Sequence, residues 1–311
     1  MTQDELNEAL SNANKLEEVK ELVKAGAAID ARTNDGNTPL HRAAYFDHRE
    51  VAAFLIAAGA KVDAANNEGS QPLYNAVSAG RREMAELLIA AGAKVDVANR
   101  NGWQPLHRAI PNNSVKIVEL LLARGADIHA RTLKGDQPLH IAAGGGGYEK
   151  VEFLIAMGAK IDSVNKDGDQ PLHCAILRRG HARVPELLIA RGARVDVANN
   201  KGNQPLHLAV LEENWESVNV LLDNGAPVDA ANNEGNQPLH LAAAANQYTA
   251  ELLLKHGADP AALNDKGQTP RELCSNEEIR ALLQKAEREP LATLRAQRRK
   301  FASLRSPAPG L

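Results

Sequence analysis

Six histidines stand at regular places in this 311-residue chain: His41, His107, His140, His173, His207 and His240. An imidazole can ligate a transition metal or move a proton near neutral pH, so a set of six raises both possibilities. Cys174 directly follows His173, which raises a thiol–imidazole pair. Gly144-Gly145-Gly146-Gly147 raises a phosphate cradle, and Asn112-Asn113-Ser114 spells a glycosylation acceptor. Spacing and context weaken each reading. The glycine run lacks a Gly-x-Gly-x-x-Gly frame and a following Lys-Ser/Thr, and reads as an inter-helix loop. A cysteine beside a histidine in sequence is not a dyad in space. The acceptor has meaning only on a secreted chain. The chain also contains no Gly-x-Ser-x-Gly, His-Glu-x-x-His or Cys-x-x-Cys.

The elements that position the histidines decide the matter. Gln-Pro-Leu-His occurs at 104–107, 137–140, 170–173, 204–207 and 237–240, with Thr38-Pro39-Leu40-His41 and Gln71-Pro72-Leu73-Tyr74 as earlier versions. A second marker, Gly-Ala, keeps step at Gly26, Gly59, Gly92, Gly125, Gly158, Gly192, Gly225 and Gly257. The period is close to 33 residues, the signature of a stacked repeat array. Within one unit, residues 66–98, Asn66-Asn67-Glu68-Gly69 is turn chemistry. Pro72 suits a first helical position, where its missing N–H is harmless. Leu73, Ala76 and Val77 share one side of a short helix. Met84, Leu87 and Leu88 form the stripe of a second helix, and Gly92 ends it. Such a unit cannot bury its own apolar face, but copies stacked on one another can. Equivalent histidines in such a stack lie about 10 Å apart, whereas zinc ligands converge to about 2 Å from one ion. The expectation is no bound metal, no cofactor and no intrinsic catalysis.

With its in-phase Thr/Gln-Pro-Leu-His and Leu-Leu-x-x-Gly-Ala elements, the chain resembles the ankyrin repeat family over about residues 30–270. The resemblance implies an all-α solenoid of stacked helix pairs with β-hairpin-like turns, about nine pairs including caps. It also implies that the histidine ties turn to helix by hydrogen bonds. Where the family has Thr before the proline, six copies here have Gln, a poor helix cap. Capping is therefore expected from the preceding residue: Ser70, Asp136, Asp169, Asn203 or Asn236. Residues 1–32 read as an N-terminal capping repeat, 33–264 as seven repeats, 265–286 as a C-terminal capping repeat and 287–311 as a basic, partly disordered tail. From 285 onward there are seven Lys/Arg and two Asp/Glu, a local +5 in a chain of net −3.

Composition sets further bounds. Aromatic residues make up 3% of the chain, as suits close, even stacking of aliphatic helix pairs. No run of about 18 apolar residues is present, so no membrane span is expected. The acidic start Met1-Thr2-Gln3-Asp4-Glu5 leads into no apolar signal segment. Two cysteines three repeats apart suit a reducing compartment. A cytoplasmic monomer is the expectation, and delivery into another cell is compatible with it.

Function by this reading is non-catalytic protein–protein interaction. The chain would act as a regulator, an inhibitor or antidote, or a delivered effector. By resemblance the partner lies in the concave groove formed by turn tips and first helices. The residues expected there are Arg42, Tyr45, Phe46, Asn67, Glu68, Ser70, Arg100, Asn101, Trp103, Arg108, Lys134, Asp136 and Asp169. Trp103 is expected to stand exposed at a tip beside Arg108, as an interface hot spot does. Trp215 is expected to pack inward. The alternative is an adaptor that touches an acidic partner, membrane or nucleic acid through its tail. The basic run is too short to argue for nucleic acid by itself.

Overall fold

The computed structural model describes residues 1–112, 115–145, 147–177 and 182–288. Asn113, Ser114, Gly146, Arg178 and the basic tail beyond residue 288 lie outside the described residues. Among the described residues, seventeen α-helices and one 3-10 turn make nine pairs, and no strand occurs. The hairpin-like turns of the expectation are therefore turns without a sheet.

The chain packs as two compact units, Met1–Ala142 with Ala156–Ala159, and Ala143–Ile155 with Lys160 onward. In the first, α1 (Gln3–Asn12) and α2 (Leu16–Lys24) precede three pairs. These are α3 (Pro39–Phe46) with α4 (Arg49–Ala57), α5 (Pro72–Ser78) with α6 (Arg82–Ala90), and α7 (Pro105–Ala109) with α8 (Val115–Ala123). Most of α9 (Pro138–Gly144) follows. The second unit begins around α10 (Tyr148–Ala156). It continues with α11 (Pro171–Ile176), α12 (Arg183–Ala190), α13 (Pro205–Leu211), α14 (Trp215–Asp223), α15 (Pro238–Ala245) and α16 (Gln247–Lys255). The last pair is a 3-10 turn, Pro270–Leu273, and α17 (Glu277–Glu287).

From α3 onward the first helix of each pair starts on its proline, as the sequence requires. The leucine that follows is sealed in the core: Leu40, Leu73, Leu106, Leu172, Leu206 and Leu239 are all 0% exposed. Second helices contribute Leu55, Leu88, Leu121, Leu188, Leu221 and Leu253, also 0% exposed. Each such leucine contributes about 2 kcal/mol of burial. Pro185 sits in the first turn of α12, buried, where no intrahelical N–H is lost.

Capping differs from the expectation. The residue before the glutamine does not cap the helix. The third helical residue does: the His Nδ1 accepts from the backbone N–H that precedes the proline. The distance is 3.1 Å from Gln104 to His107, Gln137 to His140, Gln170 to His173 and Gln204 to His207. In the last pair Glu272 replaces the histidine and accepts from Thr269 N–H at 2.8 Å.

Candidate partner-binding surface

The histidines come first, because their geometry fixes what they can do. Each ring nitrogen that accepts from the helix start leaves Nε2 carrying the proton. That Nε2 donates to a carbonyl of the following hairpin: Ser70 for His41 at 2.9 Å, Ala130 for His107 at 3.0 Å and Val197 for His173 at 3.0 Å. His207 and His240 reach Asn236 and Gln268 in the same way, at 3.1 Å. Burial holds His41, His107, His173, His207 and His240 below the ordinary imidazole pKa of 6.5. The neutral rings are thus cross-links between successive repeats. Among the described residues no group of three His, Cys, Asp or Glu converges on a metal position.

The residues before the glutamines, expected as caps, act in the hairpins. An asparagine at the start of six of the turns accepts two backbone N–H groups through its side-chain oxygen, and Thr33 and Thr132 take its place in two others. Asn199 takes Lys201 at 3.0 Å and Asn203 at 3.1 Å. Its amide then donates to Asp169 Oδ1 of the preceding turn at 2.8 Å. Asn232 and Asn264 repeat the pattern onto Asn203 and Asn236, as Asn66 does onto Asn37. Backbone bonds run alongside, with Asn67 N to Asp35 O at 3.0 Å and Arg100 N to Glu68 O at 2.8 Å. This ladder holds the tips on which Asn67, Glu68, Arg100, Asn101 and Lys134 stand exposed.

Four expected site residues sit differently. Ser70 is 3% exposed, because its position lies on the inner side of the hairpin. Asp169 is held by Asn199 and belongs to the second unit. Asp136 is half-buried, with its N–H on Thr132 Oγ1 at 3.2 Å. Trp103 occupies the same hairpin position as Ser70 and is not at a tip. It is half-buried, its ring lies 6.1 Å from that of His107, and its backbone N–H donates to Asn99 Oδ1. Trp215 departs in the opposite direction. It is 50% exposed and meets Tyr248 edge-on at 6.2 Å. The buried positions of α14 are Ser217, Val218, Leu221 and Leu222, and Trp215, as the first residue of the helix, stands at its open end on the flank of that stripe. The buried Asn214 caps α14 through Ser217 N–H, so the helix begins at Trp215, with no preceding turn to cover the ring.

The remaining residues gather on the first helices of the first unit. Tyr45 and Phe46 end α3, 46% and 49% exposed, with ring centroids 5.1 Å apart edge to face. The Arg42 guanidinium lies 5.3 Å from the Phe46 ring, and His48 stacks on the same ring at 6.0 Å. Tyr45 lines two depressions. One, about 310 Å³, also touches Asn37, Arg42 and Phe46. The other, about 400 Å³, touches Glu68, Tyr74, Asn75, Asn101 and Arg108. Burial pushes the Tyr74 hydroxyl up from its usual 10.0, against the pull of Arg108. Arg108 is itself anchored, Nε donating to Ser78 Oγ at 2.9 Å. An exposed ring pair between two polar hollows can take an apolar side chain and the polar groups around it.

Family models for ankyrin repeats match nearly the whole described chain. A three-copy model covers residues 63–132, 129–199, 178–264 and 206–290, and a many-copy model covers 8–56. The chain is an ankyrin repeat protein. Over 45 residues it is 47% identical to Ankyrin repeat domain-containing protein 49 of Drosophila melanogaster, a stretch that spans 14% of this chain and 21% of that relative. Ankyrin repeats are protein–protein interaction modules, and the described helices contain none long and apolar enough to cross a membrane.

Proposed function

We propose that this ankyrin repeat protein is a non-catalytic scaffold that binds a partner protein through the tips and first helices of its first unit. It acts by occupancy, as a regulator, an inhibitor or antidote, or a delivered effector. The observation that supports this most is the exposed pair Tyr45 and Phe46 under the Arg42 guanidinium. Aromatic rings desolvated in an interface are the side chains that most often carry binding energy. Arg42, Arg100 and Arg108 are arranged for carboxylates on the partner. Cys174 and Cys274, which are not joined in a disulfide, support a reducing, cytoplasmic setting, in which the chain works as a monomer.

A photocrosslinking residue placed at Tyr45 tests the site. It should capture a partner that the same residue at Glu83, on the exposed side of α6, does not. Equal capture from both positions would remove the support for a first-helix site.

A further inference from the structure

Between Lys201 and Lys255 the chain has no lysine or arginine and seven Asp/Glu. This all-acidic stretch carries the exposed ring pair of the second unit. Trp215 is the first residue of α14 and Tyr248 the second of α16, 50% and 52% exposed. Leu211, 47% exposed, ends the helix before them. Glu213 stands exposed in the α13–α14 turn at φ 52°, Glu216 follows Trp215, and Glu251 lies one helical turn beyond Tyr248. None of these residues belongs to the turn tips. The surface combines apolar rings with carboxylates, which suits a segment that carries both guanidinium groups and apolar side chains.

We infer that this surface is the docking site of the chain's own basic segment, residues 289–311. That segment has Arg295, Arg298, Arg299, Lys300 and Arg305 against Glu289 alone, with Leu291, Leu294 and Phe301 interspersed. Its charge is complementary to a stretch that has no lysine or arginine between Lys201 and Lys255. It departs from α17, which packs against α16, the helix of Tyr248. Returning along α17 to the starts of α14 and α16 requires about 17 Å of helix length plus one or two helix spacings of about 10 Å. The 23 residues span up to about 75 Å when extended, so reach is ample. The chemistry is already in use in this unit: at the starts of α10 and α12, Arg183 lays its guanidinium 4.8 Å over the Tyr148 ring. Tethering raises the effective concentration of the segment to the millimolar range, so individually weak ion pairs and ring contacts suffice.

Hydroxyl-radical footprinting of the full chain, read residue by residue by mass spectrometry, tests the inference. The comparison is between the parent and a variant carrying Arg298→Glu, Arg299→Glu and Lys300→Glu. Trp215 and Tyr248 should oxidise several-fold faster in the variant, and in the parent at high salt, while Tyr45 stays unchanged. A synthetic peptide of residues 289–311 should bind the variant and not the parent. Adding Trp215→Ala with Tyr248→Ala to the variant should weaken the peptide about tenfold or more. Glu213→Gln with Glu216→Gln should weaken it too, without touching the rings. All variants are compared by circular dichroism and urea midpoint. Equal oxidation of Trp215 in parent and variant would overturn the inference. So would a peptide that binds the parent as well as the variant, since the surface would then be open to partners in trans, or a peptide that binds neither. Parent bound to anionic vesicles or nucleic acid through the segment, with Trp215 unprotected, would also contradict it.

Discussion

At the scale of the residue, His173 shows what the six histidines are for. Its neutral ring accepts from Gln170 N–H through one nitrogen and donates to Val197 O through the other. His173→Ala should therefore cost about 2–4 kcal/mol by urea unfolding, because two part-buried backbone groups lose their partners. A loss below about 0.5 kcal/mol would mean that water replaces the ring without penalty. The spacing alone argues that the histidines do not converge, and the resemblance to the ankyrin family implies the tie from turn to helix. The two tryptophans were not legible. The sequence places Trp103 at an exposed tip and Trp215 in the core, whereas the structure half-buries the first and leaves the second 50% exposed. The register of the hairpin decides the first, and the start of α14 at its Asn214 cap, which leaves Trp215 at the open end of the helix, decides the second. Trp103→Ala should accordingly destabilise the fold by about 1–2 kcal/mol, measured by urea midpoint, whereas Trp215→Ala should leave it nearly unchanged.

At the scale of the element, the proline that opens and the glycine that closes each helix could be read directly. The devices that hold the tips could not, because they join residues about one repeat apart. Asn199 to Asp169 and Asn232 to Asn203 are side-chain bonds across 30 and 29 residues. The glycines separate into two kinds by the same logic. Gly92 has φ 97° with nothing within 4 Å of an added Cβ, so Gly92→Ala should cost about 1 kcal/mol of backbone strain. Gly102 has φ 75° and its Cβ would meet Leu133 N at 2.5 Å, the group that bonds Asn101 O at 3.2 Å. Gly102→Ala should cost more than twice as much as Gly92→Ala and should raise amide exchange at Leu133. Equal costs would show that the tip-to-tip bond adds little.

At the scale of the whole molecule, the buried imidazoles make stability depend on pH. His41, His107, His173, His207 and His240 have folded-state values below 6.5, the value they recover on unfolding. The unfolded chain therefore binds more protons than the folded one below about pH 6.5. Stability should be flat above that pH and should fall as pH drops through the window beneath it, until the folded rings also protonate. Asp196 and Glu272, whose carboxyls sit below their ordinary values through Arg194 and through Thr269 respectively, act only at more acid pH. Urea midpoints between pH 8 and pH 5 check this, and a midpoint that rises as pH falls through 6 would contradict it. The same repetition that made the fold legible hides the partner site, because function lies in the residues that depart from the repeat average. Tyr45 and Phe46 stood out as rings in a chain with few aromatics, but whether a ring faces outward depends on the packing of its helix.

The most direct test of the account is the affinity of the captured partner for Tyr45→Ala with Phe46→Ala, beside Lys134→Ala with Asp169→Ala, each matched to the parent in urea midpoint. The aromatic pair should lose at least about tenfold in affinity, and the charged pair should change mainly the salt dependence of association. An aromatic double variant that binds as tightly as the parent would contradict the assignment of the partner site to the first unit's helix face.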